Sequence, residues 1–182
     1  MRRFRVAIQC VGILGAVSLI SAAVAQQKIA KPDVPEELKT PPGEEVVLKA
    51  HAKGTQIYSC VAGADGKYAW TLKAPKAELF DEQGKSIGEH FAGPTWKLKD
   101  GSEVTGKMVA KHDAPRAGAI PWLLVTVIGH KGNGALESVT SIQRVNTDGG
   151  IADAKTICDE TKRDTEVQAS YTADYYFYAE KK

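Results

Sequence analysis

The sequence has few cysteines and lacks the short motifs that mark several common enzyme classes. It has no Gly-x-Ser-x-Gly nucleophile elbow. It also has no Gly-x-Gly-x-x-Gly nucleotide fingerprint, since the nearest match, Gly132-Asn-Gly134, falls in a predicted hairpin turn. None of the four histidines is spaced like a short metal-binding motif. We therefore expect no cofactor and no metal, although distant strands could converge on a metal with His90 as a first ligand.

The chain also lacks a basic excess once its first residues are set aside. Arg2, Arg3 and Arg5 precede an uncharged apolar run that ends in Ala23-Val-Ala25. This pattern predicts a signal peptide over residues 1–25, cleaved before Gln26, and hence a secreted or periplasmic protein. The alternative is an uncleaved membrane anchor.

Cleavage would change the charge balance of the protein. The full chain has 24 Lys+Arg and 22 Asp+Glu, so loss of three arginines leaves 21 and 22, a net charge of −1. No basic cluster remains. We therefore expect no nucleic-acid partner and no membrane association after cleavage.

Two cysteines remain after the predicted signal, Cys60 and Cys158. In an exported chain, two widely separated cysteines predict a disulfide. A catalytic thiol with an unpaired second cysteine is the alternative interpretation.

Helical periodicity is almost absent. Residues 26–43 contain four prolines and predict an extended lead-in, in which Pro35-Glu-Glu-Leu38 could form one helical turn. From residue 44 to 182 the apolar residues alternate in short runs separated by Gly, Asp and Asn turns. We predict one all-β domain of nine or ten antiparallel strands, either a β-sandwich or a closed β-barrel. Pro121–Ile128 is predicted to be covered on both faces, and only Ala152–Lys162 could form helix.

Six segments occur in an order that resembles a known family. They are Gly54–Cys60, Gly88–Trp96, Asp100–Ser102, Ile120–Leu124, Ile142–Thr147 and Tyr171–Tyr178. Together they are similar to the domain-of-unknown-function 3455 family of exported proteins, over about Gly43 to Tyr178. The resemblance implies a secreted, single-domain protein and implies no particular activity.

Three segments predicted to be half-buried carry polar side chains that must find partners inside the fold: Gly88–Glu103, Pro121-Trp122 and Arg144–Asn146. We therefore predict that polar and aromatic residues from these segments approach one another, as a binding surface or as a structural network. Arg144 is expected either to pair with a carboxylate such as Asp100 or Asp174, or to anchor an anionic or hydroxylated ligand. The candidate site residues are His90, Trp96, Asp100, Trp122, Arg144 and Asn146.

Three functional hypotheses follow from these residues. The first is a non-catalytic exported domain that binds a small or glycan-like ligand or a cell-surface partner. The second is a hydrolase-like enzyme that uses His90 with a carboxylate, and the third is a structural or stress-related envelope protein. Adjacent exposed tryptophans would favour glycan binding, whereas a deep pocket with converging His and Asp would favour an enzyme.

Overall fold

A computed structural model describes residues 28–181, and nearly all of its regular structure is β-strand. Two short 3₁₀ turns, Glu36–Leu38 and Glu160–Lys162, are its helical elements. The strands are β1 (Glu44–Ala62), β2 (Tyr68–Phe80), β3 (Ser86–Phe91), β4 (Thr95–Leu98), β5 (Glu103–His112), β6 (Trp122–Lys131), β7 (Val139–Gly149) and β8 (Glu166–Glu180).

The eight strands form a closed barrel. Each strand pairs antiparallel with the next one in the chain, and β8 returns to pair with β1 along most of its length. The prediction of an antiparallel all-β domain is confirmed, and of its two architectures the barrel is the one observed. Closure leaves no continuous free edge, which is how up-and-down barrels avoid edge-to-edge association.

The predicted count of nine or ten strands is too high, because β1 and β2 are each one continuous strand where the sequence suggests two. The sequence Lys53-Gly54 resembles a break, yet β1 runs unbroken through it for 19 residues. Gly54 is required there by close packing of the barrel wall, since a Cβ atom would lie 2.2 Å from the carbonyl oxygen of Lys76 on β2. A glycine inside a strand pattern often marks such a close approach rather than a turn.

Two further expectations about local structure differ from the fold. Residues Ala152–Lys162 form a loop whose only helical part is Glu160–Lys162, where the Asp159 side chain accepts a hydrogen bond from the Thr161 amide. The apolar run Pro121–Ile128 is not covered on both faces, because Ile128 is 63% exposed on the outer surface of β6. The predicted helical turn after Pro35 is confirmed.

The main core fills the barrel interior. Alternate residues of each strand point inward, so that β8 contributes Tyr171, Ala173, Tyr175 and Phe177 on one face. Small residues on β1, Ala50 and Ala52, face these large rings. Alternation of large and small side chains lets the residues of a narrow barrel interdigitate.

The lead-in packs against the outside of the barrel. Ile29 and Val34 contact a second cluster formed by the outward residues Val145, Tyr176 and Tyr178. The side-chain amide of Gln143 on β7 donates to the Leu38 carbonyl at 2.6 Å. The lead-in therefore covers outer apolar surface of β7 and β8. The predicted signal peptide lies outside the described residues.

Cys60 and Cys158 form a disulfide, with 5.5 Å between their Cα atoms, which confirms the predicted pair. The bond joins the end of β1 to the loop before β8. Within residues 28–181, no helix is long and apolar enough to cross a membrane.

Candidate ligand-binding site

The barrel wall has a lateral opening above the β3–β4 hairpin. These two strands are short, so β2 pairs with β3 only over Ala77–Phe80, and β5 pairs with β4 only over Glu103–Thr105. Beyond these pairs, β2 and β5 continue without a strand between them, although the Gly106 amide still donates to the Pro94 carbonyl at 3.0 Å. The opening lies between the two long strands, with the Gly93-Pro94 turn at its lower edge.

A cavity of about 230 Å³ leads inward from this opening. At about 30 Å³ per water molecule, its volume corresponds to roughly eight waters. Leu72 and Met108 lie at the entrance and are about half exposed, at 53% and 51%. Deeper in the cavity the wall includes the apolar side chains of Leu123 and Val125. The site therefore has largely apolar sides, and Lys73, which also lines it, is ion-paired to Glu166.

His90 and Trp96 are cross-strand partners in the cavity wall. Their rings stack with centroids 4.3 Å apart and planes 12° from parallel. His90 Nδ1 lies 2.9 Å from the Thr95 carbonyl oxygen, which can only accept, so Nδ1 carries the proton and Nε2 is an acceptor. Burial lowers the pKa of His90 to about 3, hence the ring is neutral at ordinary pH.

Several residues that line the cavity carry buried polar atoms with no hydrogen-bond partner among the residues described. These atoms include both side-chain amide atoms of Gln56, Nε1 of Trp96 and the hydroxyl of Tyr175. These three residues are at most 2% exposed. Since buried polar groups in native proteins almost always have a partner, such a group of them around one cavity calls for a partner inside it.

Arg144 brings a positive charge to the same cavity. It points inward from β7, opposite Tyr175 on β8, and its Nε and Nη2 both donate to the Pro121 carbonyl, at 3.1 and 2.8 Å. A guanidinium has five N–H donors, so this single carbonyl leaves most of them available. The charge acts on the surrounding rings: burial raises the pKa of Tyr175 and Tyr58, and Arg144 opposes that rise in both.

Arg144 lies close to the Tyr175 hydroxyl, but the two groups do not meet the geometry of a hydrogen bond. The predicted pairing of Arg144 with Asp100 or Asp174 is wrong. In the part of the chain covered by the structure, Arg144 forms no ion pair, and no Asp or Glu lines the cavity. Residues 28–181 also contain no group of three His, Cys, Asp or Glu side chains that could hold a metal.

Asp100 lies at the other end of the barrel and does not approach His90. Because β4 runs away from the β3–β4 turn, the β4–β5 turn that carries Asp100 lies at the opposite end. There its carboxylate accepts hydrogen bonds from the Ser102 amide and hydroxyl and from the Ala135 amide, at 2.9, 2.6 and 2.8 Å. Asp100 therefore links two loops, and the prediction that it shares a site with His90 is wrong.

Asn146 and Trp122 also lie apart from the cavity. Asn146 has a φ of 52° at an irregularity of β7, and its Nδ2 donates to Asp174 Oδ2 at 2.9 Å. The same carboxylate contacts His51 Nδ1 at 3.0 Å. Trp122 packs with the outer cluster beneath the lead-in. Of the six predicted residues, His90, Trp96 and Arg144 thus meet at one cavity, whereas Asp100, Trp122 and Asn146 do not.

Sequence reasoning missed Gln56 and Tyr175, two further polar residues of the cavity wall. Alternation alone does not separate a core tyrosine from a cavity tyrosine. The position of Gln56 in the alternating pattern of β1 could have marked it as a candidate site residue. It stands two residues from Gly54 and from Tyr58, on the inward face of β1, where an uncharged amide is unusual.

Comparison with known proteins identifies the family but not the activity. Residues 41–179 match the sequence profile of the family described as "Protein of unknown function (DUF3455)". This match covers most of the chain, which therefore belongs to that family. No curated protein matches the sequence. No solved structure matches the fold.

Proposed function

We propose that this DUF3455 chain is a non-catalytic binding protein that takes a small molecule into its barrel through the opening between β2 and β5. The observation that carries the proposal is the group of unpartnered, buried polar atoms on Gln56, Trp96 and Tyr175 around one cavity. Each such group costs about 1–3 kcal/mol when it is left without a partner. A ligand that supplied those partners would recover part of this free energy on binding.

The chemistry of the cavity supports binding over hydrolysis. A general base is most effective with a pKa near the working pH, whereas the pKa of His90 is about 3. Among the residues described, the cavity wall includes no carboxylate that could orient or activate this imidazole. The stacked rings of His90 and Trp96 instead form a rigid, aromatic part of the wall with one acceptor nitrogen.

The positions of the tryptophans argue against a sugar-stacking platform. Trp96 is buried, and Trp122 packs under the lead-in. Trp70 donates its Nε1 proton to the Thr156 carbonyl at 2.8 Å and is also partly covered. A glycan platform requires neighbouring exposed rings. We therefore place the ligand inside the barrel rather than on its surface.

Export is part of the proposal. The sequence pattern of residues 1–25 predicts a cleavable signal, and the Cys60–Cys158 disulfide supports an oxidising compartment. A periplasmic or secreted carrier would meet its ligand there without a cofactor. Intact-mass analysis of exported protein checks this point, since it should begin at Gln26.

The binding hypothesis can be tested by closing the entrance. Met108→Trp places a large side chain at the mouth, whereas Val109→Trp adds the same group at a neighbouring residue that is similarly exposed, at 55%, and does not line the cavity. Native mass spectrometry of exported protein and a thermal-shift screen of small molecules would be run on both variants and the parent. We expect ligands to bind the parent and Val109→Trp and to be lost from Met108→Trp.

Two results would contradict the proposal. One is a ligand that binds both tryptophan variants equally, since its site would then lie elsewhere. The other is the absence of any bound or binding small molecule across a chemically broad screen of the folded parent protein.

A further inference from the structure

We infer that the ligand is a small carboxylic acid with a flat or unsaturated apolar body, whose carboxylate pairs with Arg144 inside the barrel. This inference rests on the proposed function and specifies the ligand of the same cavity. It follows from three features: the uncompensated charge of Arg144, the excess of donors around it, and the shape of the apolar wall.

The charge of Arg144 has no counterion within the described chain. Its observed bonds go to one neutral carbonyl, that of Pro121, and this contact uses one edge of the guanidinium. A partly buried cation is stabilised when an anion completes its hydrogen bonds, and a carboxylate matches guanidinium geometry in a bidentate pair. The Pro121 contact also holds the side chain in place, so little rotamer freedom remains to be lost when a ligand binds.

Donors outnumber acceptors around the cavity. Trp96 Nε1 can only donate, the amide nitrogen of Gln56 donates, and the protonated hydroxyl of Tyr175 can donate. Arg144 adds its remaining N–H groups to these donors, whereas the acceptors are the Gln56 amide oxygen, His90 Nε2 and the lone pairs of the Tyr175 hydroxyl. The complementary ligand group is therefore rich in acceptor oxygens and carries negative charge.

The remaining wall selects for a thin apolar body. The stacked rings of His90 and Trp96 make this wall rigid and aromatic, with Leu123 and Val125 among the other apolar residues of the cavity. The cavity volume of about 230 Å³ accommodates few atoms beyond a carboxylate and one small ring or chain. Leu72 and Met108 at the entrance would contact any longer apolar part that emerges.

The inference can be tested with pairs of acids and their neutral amides. Isothermal titration at neutral pH would compare benzoate with benzamide, cinnamate with cinnamamide and hexanoate with hexanamide. Each pair keeps the apolar body and removes the charge. We expect the acids to bind roughly ten- to a hundredfold more tightly than their amides, which corresponds to a charged hydrogen-bonded contact. The ring-bearing acids should bind more tightly than hexanoate.

Two variants would assign the preference to the proposed residues. Arg144→Gln should remove the acid-over-amide preference. Because Arg144 also holds the Pro121 carbonyl, this variant could fail to fold, so Tyr175→Phe serves as the second test. It deletes a hydroxyl that lies near Arg144 and Tyr171 but meets the geometry of a hydrogen bond with neither, and should therefore fold while weakening acid binding severalfold. Val109→Trp is the control that should retain the preference.

The outcomes separate this inference from the proposed function. If the amides bind as tightly as their acids, or if Tyr175→Phe leaves acid affinity unchanged, the inference is wrong. If none of the acids binds, but a neutral ligand does so and is excluded by Met108→Trp, the inference also fails while the binding function stands. If no ligand of either kind binds to the folded parent, both are wrong.

Discussion

The imidazole of His90 lies flat on the indole of Trp96, and Tyr175 meets both rings edge-on. The centroid of the Tyr175 ring lies 5.2 Å from that of His90 and 5.5 Å from that of Trp96. Offset-stacked and edge-to-face arrangements of this kind are favourable beyond the area they bury. This cluster of three rings forms one rigid side of the cavity and keeps a neutral histidine in the barrel interior.

His90 should make the protein less stable in mild acid. Its pKa is about 3 in the folded protein and 6.5 in the unfolded chain. Between these values the unfolded chain binds the additional proton, so stability is complete above pH 6.5 and falls as the pH drops towards 3. His90 should contribute a slope of about 1.4 kcal/mol per pH unit in the middle of this range. Urea unfolding at pH 7, 6, 5 and 4 measures it.

The matched variant for this measurement is His90→Asn. Its amide nitrogen can replace Nδ1 as the donor to the Thr95 carbonyl, but it does not titrate. We expect His90→Asn to be less stable than the parent at pH 7 and to show a shallower loss between pH 6 and 4. Parallel pH profiles for the two proteins would show that His90 is not the cause.

The disulfide should account for a substantial share of the stability. Cys60 and Cys158 are 98 residues apart, and closing a loop of that size is worth up to ~4.7 kcal/mol in the chain-entropy model. The double variant Cys60→Ala/Cys158→Ala should lose roughly 2–5 kcal/mol and should no longer respond to reductant. Denaturant titrations with and without reductant provide the comparison. An unchanged midpoint in the double variant would contradict the prediction.

Two strand glycines should respond oppositely to alanine. A Cβ at Gly54 would lie 2.2 Å from the Lys76 carbonyl oxygen, which is backbone and cannot move aside easily. Gly54→Ala should therefore cost more than about 2 kcal/mol, or prevent folding. The nearest atom to a Cβ at Gly129 is 4.0 Å away, so Gly129→Ala is the control and should be neutral or slightly stabilising. Thermal melts of both variants test the pair, and equal effects would be inconsistent with our account of β1.

Asp100 should matter for stability and not for binding. Burial raises its pKa, but the donors at Ala135 and Ser102 outweigh that effect and hold the pKa below its usual range. Asp100→Ala should cost about 1–2 kcal/mol through loss of these bonds, with ligand affinity unchanged. Asp153→Ala removes a carboxylate that accepts a single amide bond within one exposed loop, at 2.9 Å from the Lys155 nitrogen, and should cost less. If Asp100→Ala binds the ligand more weakly than the parent, Asp100 contributes to the binding site and this prediction is wrong.

The sequence is informative about the fold where its signals are local. Alternation of apolar residues and glycine-rich turns predicts strands. The pairing of Cys60 with Cys158 is long-range, but it could be predicted because only these two cysteines remain after the predicted signal peptide, and it is observed. The sequence could not separate a barrel from a sandwich, because closure depends on how strongly the sheet coils. Closure also needs contacts between strands far apart in the chain, such as the pairing of β1 with β8.

The part of the candidate site that could be predicted is the part that depends on local sequence. His90 and Trp96 belong to one hairpin, so their proximity is a local property. Arg144 reaches them only because the barrel closes. Asp100 is near Trp96 in sequence, yet one strand of four residues, β4, carries it to the opposite end. Asn146 turns outward because β7 is irregular at that point, with a positive φ that alternation does not anticipate.

Glu45 forms ion pairs with lysines at both ends of the described chain. Lys28 Nζ lies 3.0 Å from its Oε1, and Lys181 Nζ lies 3.5 Å from the same oxygen. A short linker between residues 28 and 181 would thus span little distance, and new termini could be opened in the exposed turn at Asp65-Gly66. Such a circular permutant should keep all eight strand pairs of the barrel. Because each strand pairs with its neighbour in the chain and the last pairs with the first, the strand order is a cycle that could begin at another hairpin turn.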